Sequence, residues 1–111
     1  MGYYTYMYAE VKTSPNGDYL EDDSHLYAAI ERWFTVRFDN SDFLHNLIRG
    51  EDLKWYEVDK DMEEFAKEFP NVYFILWGEG EDRGDVWVIE TYDGEFHKDC
   101  ADYTPPQTYF G

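Results

Sequence analysis

Basic residues are scarce in this chain, cysteine is nearly absent, and long apolar runs do not occur. Nine Lys and Arg stand against twenty-five Asp and Glu, a formal net charge of −16. Such a surface repels phosphate backbones and anionic headgroups, so neither nucleic acid nor a membrane is expected as a direct partner. Cys100 is the only cysteine, which excludes an internal disulfide and suits a reducing cytoplasm. No apolar stretch approaches the ~20 residues of a spanning helix. The longest, 72–77, has the length of a strand. The opening Met1-Gly2-Tyr3-Tyr4-Thr5-Tyr6 lacks the basic start and apolar centre of a signal peptide, and Tyr6 stands where a myristoylation signal has Ser or Thr. A soluble protein is the expectation.

Metal-ligand pairs are missing as well. His25, His45 and His97 are scattered, and only His97 lies near Cys100. A zinc site takes about four ligands, usually paired at close spacing, and there is no second pair here. Nothing marks a base or an oxyanion hole around Cys100, so nucleophilic catalysis is not expected either. The sequence predicts no cofactor and no catalytic residue.

Aromatic residues are abundant: four Trp, eleven Tyr and eight Phe in 111 residues. That apolar mass supports one folded domain with its acids on the surface, where a disordered acidic chain would have few aromatics. Over 3–11, Tyr4, Tyr6 and Tyr8 alternate with Thr5, Met7 and Ala9, the pattern of a strand with two distinct faces. The run Ser14-Pro15-Asn16-Gly17 is a turn. Ser24 reads as the N-cap of a first main helix, with Leu26, Ala29, Ile30 and Trp33 along one face. A short helix over 42–49, capped by Ser41 and closed by Gly50, is expected to turn Phe43, Leu44, Leu47 and Ile48 inward. Residues 53–58 read as a second strand, with Asp59 capping a second main helix in which Met62, Phe65, Ala66 and Phe69 recur at helical spacing until Pro70.

Beyond Pro70, 72–77 and 85–92 read as strands of a hairpin, and Asp93-Gly94 introduces a short strand over 95–98. This order predicts an α+β fold: a ferredoxin-like split β-α-β sandwich, with a mostly antiparallel sheet and two main helices on one face. The domain is expected to span 1–98, with a C-terminal tail over 99–111.

The segment Gly78-Glu79-Gly80-Glu81-Asp82-Arg83-Gly84-Asp85 concentrates four acids, the densest chemistry in the chain. It lacks the ligand spacing of an EF-hand, and a phosphate held there would face carboxylates. A solvated hairpin tip is the simpler reading, with a metal-binding or hydrolytic loop over 79–85 as the alternative. Surface tyrosines could stack bases, but base-stacking modules pair aromatics with positive charge. The sign is wrong here, so for Tyr3, Tyr4, Tyr6, Tyr8, Trp55 and Tyr56 the better uses are packing under the helices on one sheet face and a protein contact on the other.

Taken together, Gly2-Tyr3-Tyr4-Thr5, Lys54-Trp55-Tyr56, Asp61-Met62, Pro70-x-Val72-x-Phe74 and Gly78-Glu79-Gly80-Glu81-x-x-Gly84-Asp85-x-Trp87 form a pattern. It resembles a group of small acidic bacteriophage and prophage accessory proteins. The resemblance covers the first strand and 54–94. It implies a phage protein acting in the host cytoplasm without catalysis: an inhibitor that binds a host or defence protein, of the anti-CRISPR or anti-restriction type. The expected partner is a nucleic-acid-binding protein, whose cationic channel a nucleic-acid-mimicking acidic surface could occupy. The acids expected to form that surface are Glu21, Asp22 and Asp23 before the first main helix, Glu63, Glu64 and Glu68 on the second, and Glu79, Glu81, Asp82 and Asp85 at the hairpin. A self-associating structural module is a further alternative, as monomer and homodimer are both compatible with the sequence.

Overall fold

The computed structural model describes residues 5–21, 24–80 and 86–101. In chain order the elements are β1 (Thr5–Lys12), α1 (His25–Phe38), α2 (Phe43–Arg49), β2 (Glu51–Leu53), α3 (Val58–Glu68), β3 (Tyr73–Glu79), β4 (Val86–Tyr92) and β5 (Glu95–Ala101). The strands form one sheet in the order β2-β1-β3-β4-β5, and every adjacent pair is antiparallel. Because β1 opposes both β2 and β3, those two run in the same direction with β1 between them. The unit β2-α3-β3 is therefore a split β-α-β, and the fold is α+β with its two main helices on one face.

Strand alternation decides which face that is. Met7, Ala9 and Val11 of β1 share a side with Phe74 and Leu76 of β3 and with Trp87 and Ile89 of β4. All are buried in one cluster with Tyr27, Ile30 and Phe34 of α1, Phe43, Leu44 and Leu47 of α2, and Met62 and Phe65 of α3. On the opposite face Tyr73, Ile75 and Val88 make a smaller cluster, with Trp77 and Tyr92 packed around it. Tyr8 stacks on Trp77 there, with ring centroids 5.9 Å apart.

Local chemistry sets the ends of the elements. Ser24 caps α1, its Oγ accepting the Tyr27 N–H at 3.0 Å, and Asp39 ends that helix in the left-handed region. Asp93 and Gly94, with φ of 55° and 78°, make the hairpin turn between β4 and β5 with the positive φ at both positions that a two-residue turn matched to strand twist requires. The Asp93 N–H donates to the Pro70 carbonyl at 3.0 Å, tying this turn to the end of α3.

Several sequence expectations shift. The second strand is Glu51–Leu53 rather than 53–58, and α3 begins at Val58, so Asp59 lies inside its first turn and does not cap it. Trp55 leaves the sheet plane to bury its ring in the core, and that departure ends β2. The stripe of α1 that faces inward is Tyr27, Ile30 and Phe34, while Ala29 is exposed and Trp33 is half-buried. Ser41 does not cap α2: Asp42 occupies the N-cap position with no side-chain cap bond, and the Asn40 side chain accepts its N–H. Ile48 is exposed, because seven residues turn only Phe43, Leu44 and Leu47 inward. Finally β5 continues through Asp99 and Cys100, paired to Val88 and Trp87, where a tail was expected from 99. Tyr3 and Tyr4, expected at the start of the first strand, and 102–111 of the expected tail lie outside the described residues.

Gly78 is a packing glycine. It pairs with Trp87 across the β3–β4 ladder, and a Cβ built on it would overlap the six-membered ring of that tryptophan. Gly78→Ala should lower stability by about 1–3 kcal/mol through this overlap, read as a lower urea midpoint with unchanged slope. Combining it with Trp87→Leu should recover part of the loss. If the double variant is simply the sum of the two singles, the ring is not the cause.

Candidate functional site

The predicted acids occupy separate parts of this frame. Glu63, Glu64 and Glu68 are exposed on α3, whose other side buries Met62, Phe65 and Ala66. Glu79 is exposed at the last position of β3, on the sheet face away from the helices. Glu21 is exposed near the start of α1, its carbonyl accepting the Ser24 hydroxyl at 2.8 Å. The remaining candidates, Asp22, Asp23, Glu81, Asp82 and Asp85, lie outside the described residues. Among the described candidates only the three on α3 share one surface. β3 starts beside the end of α3 and runs away from it, so Glu79 sits at the far end of the molecule from Glu68, and across the sheet from it.

The surface of α3 is not uniformly negative. Lys60 and Lys67 interleave with the acids, and Asp59 is bound by Lys98 Nζ at 3.0 Å. Glu64 Oε2 lies 2.7 Å from Arg37 Nη2. Among the described residues Glu21, Glu63, Glu68 and Glu79 have no ion pair at 4 Å or less. Of the predicted acids, these four are the ones free to meet another molecule.

A polar cluster that the sequence did not announce stands behind this surface. Asp61 is only 8% exposed. Its Oδ1 accepts from Arg37 Nη1 and its Oδ2 from the Trp55 indole N–H, both at 2.7 Å. The Arg37 guanidinium also lies 4.3 Å from the centroid of the Trp33 ring. Burial alone would lower the Arg37 pKa, but the hydrogen bonds and charges of Glu64 and Asp61 outweigh it and hold the guanidinium above its usual value. Asp61 thus has both oxygens satisfied inside the protein and belongs to the scaffold. Its spacing from Trp55 is the only part of this cluster present in the local sequence. Arg37 arrives from α1, far off in the chain.

On the sheet face away from the helices a second buried acid, Glu90, is 2% exposed and accepts a hydrogen bond from the Tyr73 hydroxyl. Tyr19 reaches Glu10 in the same way at 2.7 Å. Three tyrosines of this region have their pKa raised, and two of them, Tyr19 and Tyr73, donate to carboxylates. Burial raises Tyr8, with Glu10 adding to it. The hydrogen bond to Glu10 raises Tyr19. Burial and then the hydrogen bond to Glu90 raise Tyr73 furthest.

Among the described residues no group of three or more His, Cys, Asp or Glu could hold a metal ion, and no helix is long and apolar enough to cross a membrane. Of the 79–85 loop, only Glu79 and Gly80 are described, so the metal-binding alternative rests on residues outside the described set. Cys100 is exposed on β5. Comparison with family models, with curated proteins and with solved structures finds no match to this chain.

Two stability measurements follow. Tyr73 has its folded pKa above the ordinary value of 10.0, so the folded protein keeps a proton that the unfolded chain releases. This stabilisation is fully present below the unfolded pKa and is lost as pH rises past it. Urea midpoints should therefore decline above about pH 10. Tyr73→Phe should cost about 1–3 kcal/mol at neutral pH by removing a donor from a buried carboxylate, yet its alkaline decline should be shallower; an equally steep decline would assign the effect to other groups. Asp61→Ala should cost about 1–3 kcal/mol, because it leaves the buried Trp55 N–H without its acceptor while Arg37 keeps Glu64. In a double-mutant cycle with Trp55→Phe the two losses should be clearly less than additive.

Proposed function

We propose that this chain is a non-enzymatic binding protein that engages a basic, nucleic-acid-binding host or defence protein, as a phage inhibitor of the anti-CRISPR or anti-restriction type would. The observation that carries this reading is the uncompensated charge of Glu63 and Glu68 on a helix anchored by Met62 and Phe65. Carboxylates on a packed helix lose no backbone freedom on binding, and a complementary Lys- or Arg-lined surface attracts them through the charge that water and salt leave unscreened. The formal charge of −16 adds long-range attraction toward a cationic partner and speeds the encounter.

The lysines among these acids favour a protein surface of mixed charge as the counterpart over strict imitation of a phosphate row. The motif residues support the reading in a different way. Trp55, Asp61, Gly78 and Trp87, which carry the resemblance to phage accessory proteins, all have packing roles, so their presence speaks to a shared scaffold. The binding chemistry is then left to the exposed acids of α3.

The test is capture of partners from host lysate on the immobilised protein, followed by challenge with duplex DNA and with salt. The expected partner is released by DNA, and its association slows steeply between ~0.05 and ~0.2 M salt as the screening length shortens. Replacing Glu63, Glu64 and Glu68 together by Gln should slow low-salt association about tenfold, with dissociation changed less. A partner that binds equally well with the triple replacement and at high salt would defeat the proposal.

A further inference from the structure

Two helices carry charge that runs against the rest, α2 with Arg49 and no acid, and the longer α1. Within α1 the only acid is Glu31, against Arg32 and Arg37. Its outer side presents Ala29, Arg32 and Val36, and Val36 is 77% exposed, as bare as any large apolar side chain among the described residues. Between α1 and α3 this side forms a groove of about 470 Å³ with Ala29, Trp33, Val36 and Phe69 supplying its apolar lining. Arg37 also lines it but is already committed to Asp61, Glu64 and the Trp33 ring.

Two charged side chains flank the groove from opposite helices, Arg32 on α1 and Glu68 on α3. Neither has an ion pair among the described residues. Their arrangement is self-complementary: a twofold axis that lays one groove against another brings each Arg32 toward the Glu68 of the other copy, which is the condition an isologous interface must meet. Charge also limits where a second copy can approach. Two bodies of −16 repel each other through any acid-rich face, and this groove is an apolar surface on an element of net positive charge.

We propose that the α1–α3 groove is the surface on which a second copy of this chain binds, with Val36 of each copy seated in the groove of the other and Arg32 of each paired with Glu68 of the other. This places self-association on the helical face, and the sheet edges take no part in it. Burial of Val36 and the Trp33 edge supplies the apolar contribution, and the reciprocal ion pairs set the register. Because the dominant long-range force between copies is repulsive, self-association strengthens with added salt. Capture of a cationic partner weakens with salt, so the two behaviours are separable in one protein.

Sedimentation of the full chain over a range of concentrations tests this, with circular dichroism confirming that each variant is folded. The expected result is a concentration-dependent dimer. Arg32→Glu and Glu68→Arg should each weaken it about tenfold or more, and the double variant R32E/E68R, which reverses both ends of each pair, should regain most of the loss. Val36→Asp should abolish the dimer, while Tyr56→Asp, at a residue 73% exposed outside the groove, should leave it unchanged. A monomer at every concentration up to millimolar overturns the proposal. So does a dimer indifferent to Arg32→Glu, and so does a double variant weaker than either single. Lysate capture, which rests on Glu63 and Glu68, needs no second copy and is retained by Val36→Asp, so failure here leaves the acidic-surface reading standing.

Discussion

The ring of Phe34 is fully buried and makes aromatic contacts with Trp33, Phe38, Phe43, Trp55, Phe65 and Phe74, at centroid separations between 5.0 and 6.2 Å. Those residues come from α1, α2, the turn before α3, α3 itself and the central strand β3. No other ring among the described residues joins so many elements through aromatic contacts. Edge-to-face and offset geometries each add a modest directional preference to area burial. The directional part matters because three helices of different length lie on a sheet whose surface offers no other register. Through this one side chain α1, α2 and α3 share a common point of contact above β3. Every surface discussed above, including the groove between α1 and α3, inherits its geometry from that constraint.

A second layer of constraint is polar. Asp61 holds Arg37 from α1 and Trp55 from the turn that precedes α3, so it fastens the two main helices together at their edge. A buried carboxylate so used is costly to desolvate, and its value lies in direction: only one placement of Arg37 and Trp55 satisfies both oxygens. Gly78 beneath Trp87 does the corresponding work on the sheet. There a missing side chain leaves room for the indole, whose ring then carries Lys98 Nζ at 5.3 Å from its centroid. The charge-bearing Lys98 is in turn the partner of Asp59 at the head of α3. Packing and electrostatics are thereby linked from β3 through β4 and β5 to the helix.

How much of this could be read from sequence depended on the range of the interaction. The alternation of Met7, Ala9 and Val11 against Tyr6 and Tyr8 was legible because a strand's two faces show directly in the order of residues. The cap at Ser24 and the turn at Asp93-Gly94 were equally local. Trp55 was misread as a strand residue, since what removes it from the sheet is a hydrogen bond to Asp61, itself indistinguishable in sequence from the other acids opening α3. The glycine at 78 read as turn chemistry, because its reason lies across the ladder at Trp87. For the candidate site, the exposed acids of α3 were legible from helical spacing, whereas Arg32 drew no notice amid so much negative charge. Its meaning comes only from standing opposite Glu68 across a groove.

The position of β1 bears on how the chain can assemble. It is the earliest strand in the chain, yet it lies between β2 and β3, with Thr5 opposite Leu53 and Lys12 opposite Tyr73. Neither neighbour can be recruited by a short hairpin, so the centre of the sheet closes only after long loops have been drawn in, at an entropic cost that slows folding. Until residues of β3 are available, the edge of β1 from Tyr6 to Lys12 that pairs with it stays open, while β2 covers only Thr5 to Met7 on the other side. The hairpin β4-β5 and the helix α1 can form from near neighbours in the meantime. Closure of the sheet's centre therefore sets an early strand between two later ones, and an unpaired edge of that strand is a template for other chains until it closes.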